Sequence, residues 1–205
     1  MPETNTLWIV VNNPPGLYEY TMDGGLRRQL NLWWLSDPED VVYVSSDRVA
    51  VLEEPPWGGI RVLDVSQSGG GKQVGFVSLT YPRTAAFGAE GLAHDPGTGT
   101  YYVAQEKHPK SIIAVREDGW QLLIDGDVAF NSVGDLAAIN YIPGLKQFLV
   151  LSQESSRVLK TTLDGQVLQY LDVEGPYAEG LHMMSDGLTL IVVGEVRRGG
   201  GGGEK

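Results

Sequence analysis

The sequence predicts an all-β protein, specifically a β-propeller built from four-stranded antiparallel blades. Three observations carry that prediction. Apolar and β-branched runs of roughly five to seven residues alternate with Gly, Pro, Asp and Asn clusters along the chain, the mark of many short strands. An entrance motif recurs, as PEDVVYV from Pro38, AEGLAHD from Ala89, VGDLAAINY from Val133 and AEGLHMM from Ala178. Aligned on Val41, Leu92, Leu136 and Leu181, its steps are 51, 44 and 45 residues. Four strands per unit at that period describe a propeller blade, which buries its two faces only by packing against its neighbours around an axis.

The elements follow in order. The segment from Thr6 to Leu32 supplies LWIVVNN, LYEYTM and LRRQLNL, three strands with no inner strand before them. The first full blade runs PEDVVYV, VAVLEE, IRVLDV and QVGFVSL, and the next runs AEGLAHD, YYVAQE, SIIAVRE and WQLLI. A third runs VGDLAAINY, FLVLSQE, VLKTTL and QVLQYLDV, and the last segment offers only AEGLHMM and LTLIVVGE. Five blades with an incomplete first and last is the preferred count; a four-bladed ring with a merged closing blade is the alternative. The domain spans 6–196, and the glycine-rich 197–205 reads as a disordered tail.

Turn chemistry supports the strand order. Asp23-Gly24, Asp118-Gly119 and Asp164-Gly165 lie between alternating runs, where Asp-Gly favours hairpins because the tight primed turns need positive φ. SGGGKQ, from Ser68, lacks the G-x-x-x-x-G-K-[ST] spacing and the helix of a phosphate loop, and reads as a long hairpin turn. Trp33 and Trp34 are expected to pack between blades.

Composition narrows the function. The 205 residues suit one domain, and 42% hydrophobic content suits a folded one. A net charge of −11 repels phosphate backbones and argues against nucleic-acid binding. With no cysteine, disulfides, thiolate metal sites and Cys nucleophiles are excluded. No run is long and apolar enough to span a membrane. The opening MPETNTLWIVVNNPPG lacks the charged and apolar regions of a secretory signal.

The candidate site is a funnel of acids. Three entrance motifs place Glu39, Glu90 and Glu179 two residues before the aligned apolar position, and the fourth carries Asp135 instead. The exit motifs end at Glu54, Glu106, Glu154 and Glu195, with Asn12 and Asn13 at the equivalent place in the first segment. The innermost strand starts, and its partner ends, at one face of a propeller. Glu39, Glu90, Asp135 and Glu179 therefore ring the channel mouth, with Glu54, Glu106, Glu154 and Glu195 outside them. A like-charged pair some 5 Å apart costs on the order of 3 kcal/mol at a reduced dielectric. A fold tolerates it through a bound cation, a shared proton or compensating donors. Ca²⁺, which takes oxygen ligands, suits the inner ring better than zinc. A structural clasp, in which each Glu accepts backbone N–H bonds from the next blade, is the competing explanation. Trp57, in EEPPWGG, is at the same face, where stacking on a sugar or other planar ligand and packing over the loop prolines are equal alternatives. His94 and His182 fall in inner strands, where a packed or hydrogen-bonded role outweighs proton transfer.

FGAEGLAHDPGTGTYYVAQEKHPKSIIAV, FLVLSQESSRVLKTTLDGQVL and YAEGLHMMSDGLTLIVVGE resemble the SdiA-regulated, or YjiK-like, family of bacterial β-propellers. LWIVVNNPPGLYEYTMDGGLRRQLNL is similar to that family's opening blade. The resemblance covers residues 6 to 196 almost entirely. It implies a location at the cell envelope, where members are anchored by an N-terminal segment; this chain starts inside the opening blade and shows no such anchor. It supplies no catalytic residues. The preferred function is a propeller that binds a cation or small ligand at the funnel. Two alternatives stand beside it. One is a Ca²⁺-dependent hydrolase similar to phytase-like or gluconolactonase-like propellers, acting on a phosphoester or lactone. The other is a scaffold that binds a protein partner on its rim.

Overall fold

The computed structural model describes residues 5–54, 58–67, 69–79, 88–174 and 177–194. Trp57, Glu195 and the glycine-rich tail therefore lie outside the described residues. Blade one is β1 (Thr6–Asn12), β2 (Pro15–Thr21) and β3 (Leu26–Asn31). Blade two is β4 (Pro38–Ser45), β5 (Arg48–Glu53), β6 (Gly59–Asp64) and β7 (Lys72–Ser78). Blade three is β8 (Ala89–Asp95), β9 (Thr100–Gln105), β10 (Ser111–Arg116) and β11 (Gly119–Asp125), followed by a single turn, α1 (Gly126–Ala129). Blade four is β12 (Ala138–Ile142), β13 (Gln147–Ser152), β14 (Arg157–Thr162) and β15 (Val167–Asp172). A two-stranded sheet, β16 (Ala178–Met183) with β17 (Leu190–Gly194), follows. All pairings are antiparallel between chain neighbours. The fold is a β-propeller. Among the described residues, sheets of three or more strands number four, as in the alternative count; with the final hairpin there are five sheets, the first of three strands and the last of two.

The second strand of each full blade explains the unbroken apolar runs. Along β5, Val49 and Val51 enter the core shared with blade one, whereas Ala50 and Leu52 enter the core shared with blade three. Tyr101 and Val103 of β9 face blade two, and Tyr102 and Ala104 face blade four. Phe148 and Val150 of β13 face blade three, and Leu149 and Leu151 face the final hairpin. Side chains alternate along a strand, so a strand buried on both faces must be apolar at every position. In the seam between blades three and four, Phe148 meets Tyr102 edge-on with ring centroids 4.8 Å apart.

The register corrects the repeat alignment in blade four. Leu92 pairs with Val103 and Val41 with Val51, and the equivalent residue opposite Val150 is Ile139, not Leu136. Leu136 lies three residues earlier and is buried beside Phe130 and Val133 in the link after α1. Two apolar residues three apart in DLAAI make the two alignments indistinguishable by pattern. The Asp-Gly hairpins form, but not as two-residue primed turns. Tyr20 pairs with Leu26 and Thr161 with Val167 across a register shift, Arg116 pairs with Gly119 around Glu117 and Asp118, and it is Gly24, Gly119 and Gly165, not the aspartates, that have positive φ. Trp33 is another departure: it is 81% exposed. Trp34 lies at the surface with the Arg61 guanidinium 5.7 Å from its ring centroid.

Inner strands approach so closely that one position excludes a side chain. A Cβ on Gly91 of β8 would lie 2.8 Å from Ile139 N and 2.9 Å from Ala138 Cα of β12, both backbone atoms. We expect Gly91→Ala to destabilise the protein by about 1–3 kcal/mol through forced separation of blades three and four. Chemical denaturation would show this as a lower midpoint; an unchanged midpoint would mean that the seam yields without cost.

Candidate functional site

The site begins with a local defect in three inner strands. In β4 the register steps from Pro38↔Glu53 to Asp40↔Leu52, so Glu39 is an extra residue. The same step isolates Glu90 in β8, between Ala89↔Gln105 and Gly91↔Ala104. It isolates Glu179 in β16, between Ala178↔Gly194 and Gly180↔Val193. A β-bulge re-aims the extra side chain, and here all three glutamates line one cavity of about 230 Å³. Asn12, Glu106, Asp135, Ala137 and Gln153 complete its lining. In blade four the bulge position belongs to Ala137, since Ala137 N donates to Leu151 O (2.8 Å) while Ala138 pairs with Leu151. A broader, open concavity of about 360 Å³, lined by Thr98, Gly99, Arg116, Glu117 and Asp118, lies on turns away from this convergence.

Glu39 and Glu90 come from adjacent blades and line the same cavity, close enough for the charge of Glu90 to act on Glu39. Burial, then the Glu90 charge, and then Asp37 and Glu54 push the Glu39 carboxyl up to about 10. Burial, followed by the charges of Glu54 and Glu106, pushes Glu90 up to about 8. Near neutral pH both carboxyls of the pair are therefore held largely protonated. Among the described residues, neither makes an ion pair with Lys or Arg. Asp37, Glu39 and Glu54 each present an oxygen within 4.8 Å of the others. Gly88 makes room for the Glu54 carboxyl, because a Cβ there would overlap its Oε1.

The clasp expected of the glutamates is performed by their neighbours. Asp40, next to Glu39, accepts Val41 N and, from blade three, Leu92 N, both at 2.7 Å. Burial still pushes its carboxyl up to about 7 against those two bonds. Asn140 Oδ1 accepts Met183 N at 3.3 Å across the last seam. Asp135 is buried and committed within its blade: it accepts the Ser152 hydroxyl and, at 3.2 Å, Glu154 N. It lines the cavity without presenting a bulge carboxylate there. Glu179 is exposed and accepts Gln153 Nε2 at 2.8 Å.

The outer acids divide. Glu54 stands beside Glu39, whereas Glu106 and Glu154 are bridged by Lys107, whose Nζ lies 3.0 and 2.7 Å from them. Glu53, adjacent to Glu54, is turned away into a buried set with Ser36 N (2.9 Å), Ser36 Oγ (3.2 Å) and Arg61 Nε (2.6 Å). Sequence reasoning missed Asp37, Lys107 and Gln153. Asp37 was signalled in SDPED, two residues before Glu39, the spacing that returns a strand to the same side. Nothing in one sequence marks the partners of Lys107. His94 stacks on Tyr101 with ring centroids 4.8 Å apart, and burial lowers its imidazole below the usual range. It lies one residue from the far turn of β8, and neither it nor His182 lines the funnel.

The pH dependence has a definite sign. A carboxyl pushed up on folding binds a proton that the unfolded chain, near 4.5, has released. That stability is complete below about 4.5 and is lost as pH rises through about 8 to 10. In EDTA, we expect a lower denaturation midpoint at pH 9 than at pH 5, and Glu39→Gln should flatten the difference. A higher wild-type midpoint at pH 9 would contradict this account of the pair.

A family model described as SdiA-regulated matches residues 1–195. Among solved structures, 93% of this chain is similar to 68% of a chain from a nidogen/laminin complex, with TM-score 0.66 and 13% identity. The same share is similar to 50% of a protein of unknown function from Bacteroides thetaiotaomicron VPI-5482, with TM-score 0.61 and 16% identity. The Myceliophteria thermophila Cps50 (Swd1) β-propeller domain matches 94% of this chain over 61% of its own, with TM-score 0.54 and 12% identity. At such identities the likeness is one of fold. The chain spans between half and about two thirds of the length of these three. Among the described residues, no helix is long and apolar enough to cross a membrane.

Proposed function

The chain belongs to the SdiA-regulated family, and from that premise we propose that its propeller is a binding module for a hard divalent cation of the Ca²⁺ class, seated in the acidic funnel. Glu39 and Glu90 are its central ligands, with Asp37 and Glu54 beside them and Glu179 across the mouth. The carrying observation is the convergence of Glu39, Glu90 and Glu179 on one cavity of about 230 Å³, delivered by bulges in three inner strands, with Asp37 and Glu54 beside Glu39. A fold that needed those acids only for packing would gain by losing one, since a buried pair of like groups opposes folding as pH rises. Ca²⁺ takes six to eight oxygens at about 2.3–2.6 Å, so the oxygens of Asp37, Glu39 and Glu54, which lie within 4.8 Å of one another, can meet on one ion, with Glu90 reaching it from the next blade. The cation displaces the protons of the pair, which couples binding to pH. An envelope location, which the family resemblance implies, would call only for the modest affinity of extracellular sites, about 10⁻⁴–10⁻³ M.

Thermal unfolding with EDTA and then with millimolar Ca²⁺ tests this reading. Ca²⁺ at about ten times its dissociation constant should stabilise the wild type by about 1.4 kcal/mol, a rise of a few degrees. Glu90→Gln should remove the response. No shift in the wild type would overturn the reading. Calorimetry in buffers of different ionisation enthalpy should show proton release on binding near pH 7. Apparent affinity should rise between pH 6 and 9; pH-independent affinity would exclude the protonated pair as the binding group.

A further inference from the structure

At the seam between blades three and four, the protein supplies a cation of its own. Lys107 directly follows Glu106 of blade three, and its ammonium reaches Glu154 of blade four, 47 residues further along. Its Nζ lies 3.0 Å from Glu106 Oε1 and 2.7 Å from Glu154 Oε1, distances of charge-assisted hydrogen bonds. The lysine side chain is only 18% exposed. The bond to Glu154, and after it that to Glu106, raises its affinity for the proton against the cost of burial. It stays charged throughout the physiological range. Its nitrogen therefore bridges carboxylates of two blades, as a divalent ion would.

The repeat shows that this arrangement is particular to one seam. Pairing to the third strand makes Glu53, Gln105 and Ser152 equivalent, through Glu53↔Gly59, Gln105↔Ser111 and Ser152↔Arg157. The next residues are Glu54, Glu106 and Gln153, and those after them are Pro55, Lys107 and Glu154. Only blade three carries a base there. Glu106 also lines the funnel cavity and adds to the charge felt by Glu90, so a change at Lys107 reaches the funnel electrostatically.

Building on the cation reading above, we infer that Lys107 is a specificity-determining residue of the funnel. Its ammonium fills a second cation position, between Glu106 and Glu154, and holds the funnel to one divalent ion on the Glu39–Glu90 side. Removing that charge opens the second position and strengthens the first.

The test is Ca²⁺ binding by equilibrium dialysis and calorimetry on wild type, Lys107→Gln, Lys107→Met and Lys107→Arg. Methionine keeps much of the packed aliphatic stem, should glutamine disturb the loop. Wild type and Lys107→Arg should bind one ion. The neutral variants should bind two, or bind the first about tenfold more tightly, because a nearby positive charge is gone. If wild type binds one ion and the neutral variants match it in number and affinity, the inference on Lys107 fails and the funnel reading stands. If only the neutral variants bind, Lys107 is the resident cation and the reading of the wild-type funnel fails. If no protein binds, both are overturned.

Discussion

Each full blade of this protein depends on a second strand that is buried on both faces. In β5, β9 and β13 consecutive side chains enter consecutive cores, so no residue of the run can be polar without meeting a seam. The seams set the spacing of the inner strands, which is tight enough at Gly91 for backbone to replace a side chain. That spacing brings the heads of β4, β8 and β16 around one cavity. The funnel is thus a consequence of packing: its acids are close because the apolar strands behind them are close.

Bulges separate structural duty from exposed chemistry at those strand heads. Without the extra residue, the acids at the head of β4 would follow the simple alternation of the pleat. With it, Asp40 faces the neighbouring blade and takes Leu92 N, while Glu39 faces the axis. Glu53 and Glu54 divide in the same manner at the other end of the hairpin, one into a buried set with Ser36 and Arg61 and one towards Glu39. Adjacent acids of identical or near-identical chemistry therefore have opposite roles. The cation reading proposed for the funnel concerns the outward member of each doublet, and its electrostatic frustration is local, because the inward members are satisfied by donors.

The funnel is also electrostatically uneven around its axis. On the side of blade two, three carboxyl groups crowd together and protons must be retained. On the side of blade four, Ala137 stands where a glutamate would, Asp135 is occupied by Ser152 and the backbone of Glu154, and Lys107 neutralises the outer pair. A repeat architecture supplies equivalent positions, and substitution at those positions gives the ring a direction.

The sequence by itself determined the strand content, the blade period and the acids at the funnel face, because those follow from alternation, turn residues and motif spacing within a few tens of residues. It also carried the resemblance that identified the family. Glu39, Glu90 and Glu179, whose motifs share one local register, line one cavity. The sequence misjudged Leu136, whose alternative, Ile139, differs only in which of two apolar residues meets Val150. Only the tertiary structure decided that Asp40 rather than Glu39 clasps the next blade, that Asp135 is spent internally, and that Lys107 spans a seam to Glu154. Those outcomes rest on contacts between residues about 20 to 50 positions apart, across a bulge or a blade boundary. A one-residue change of register there reverses the direction of a side chain, and no local pattern records it.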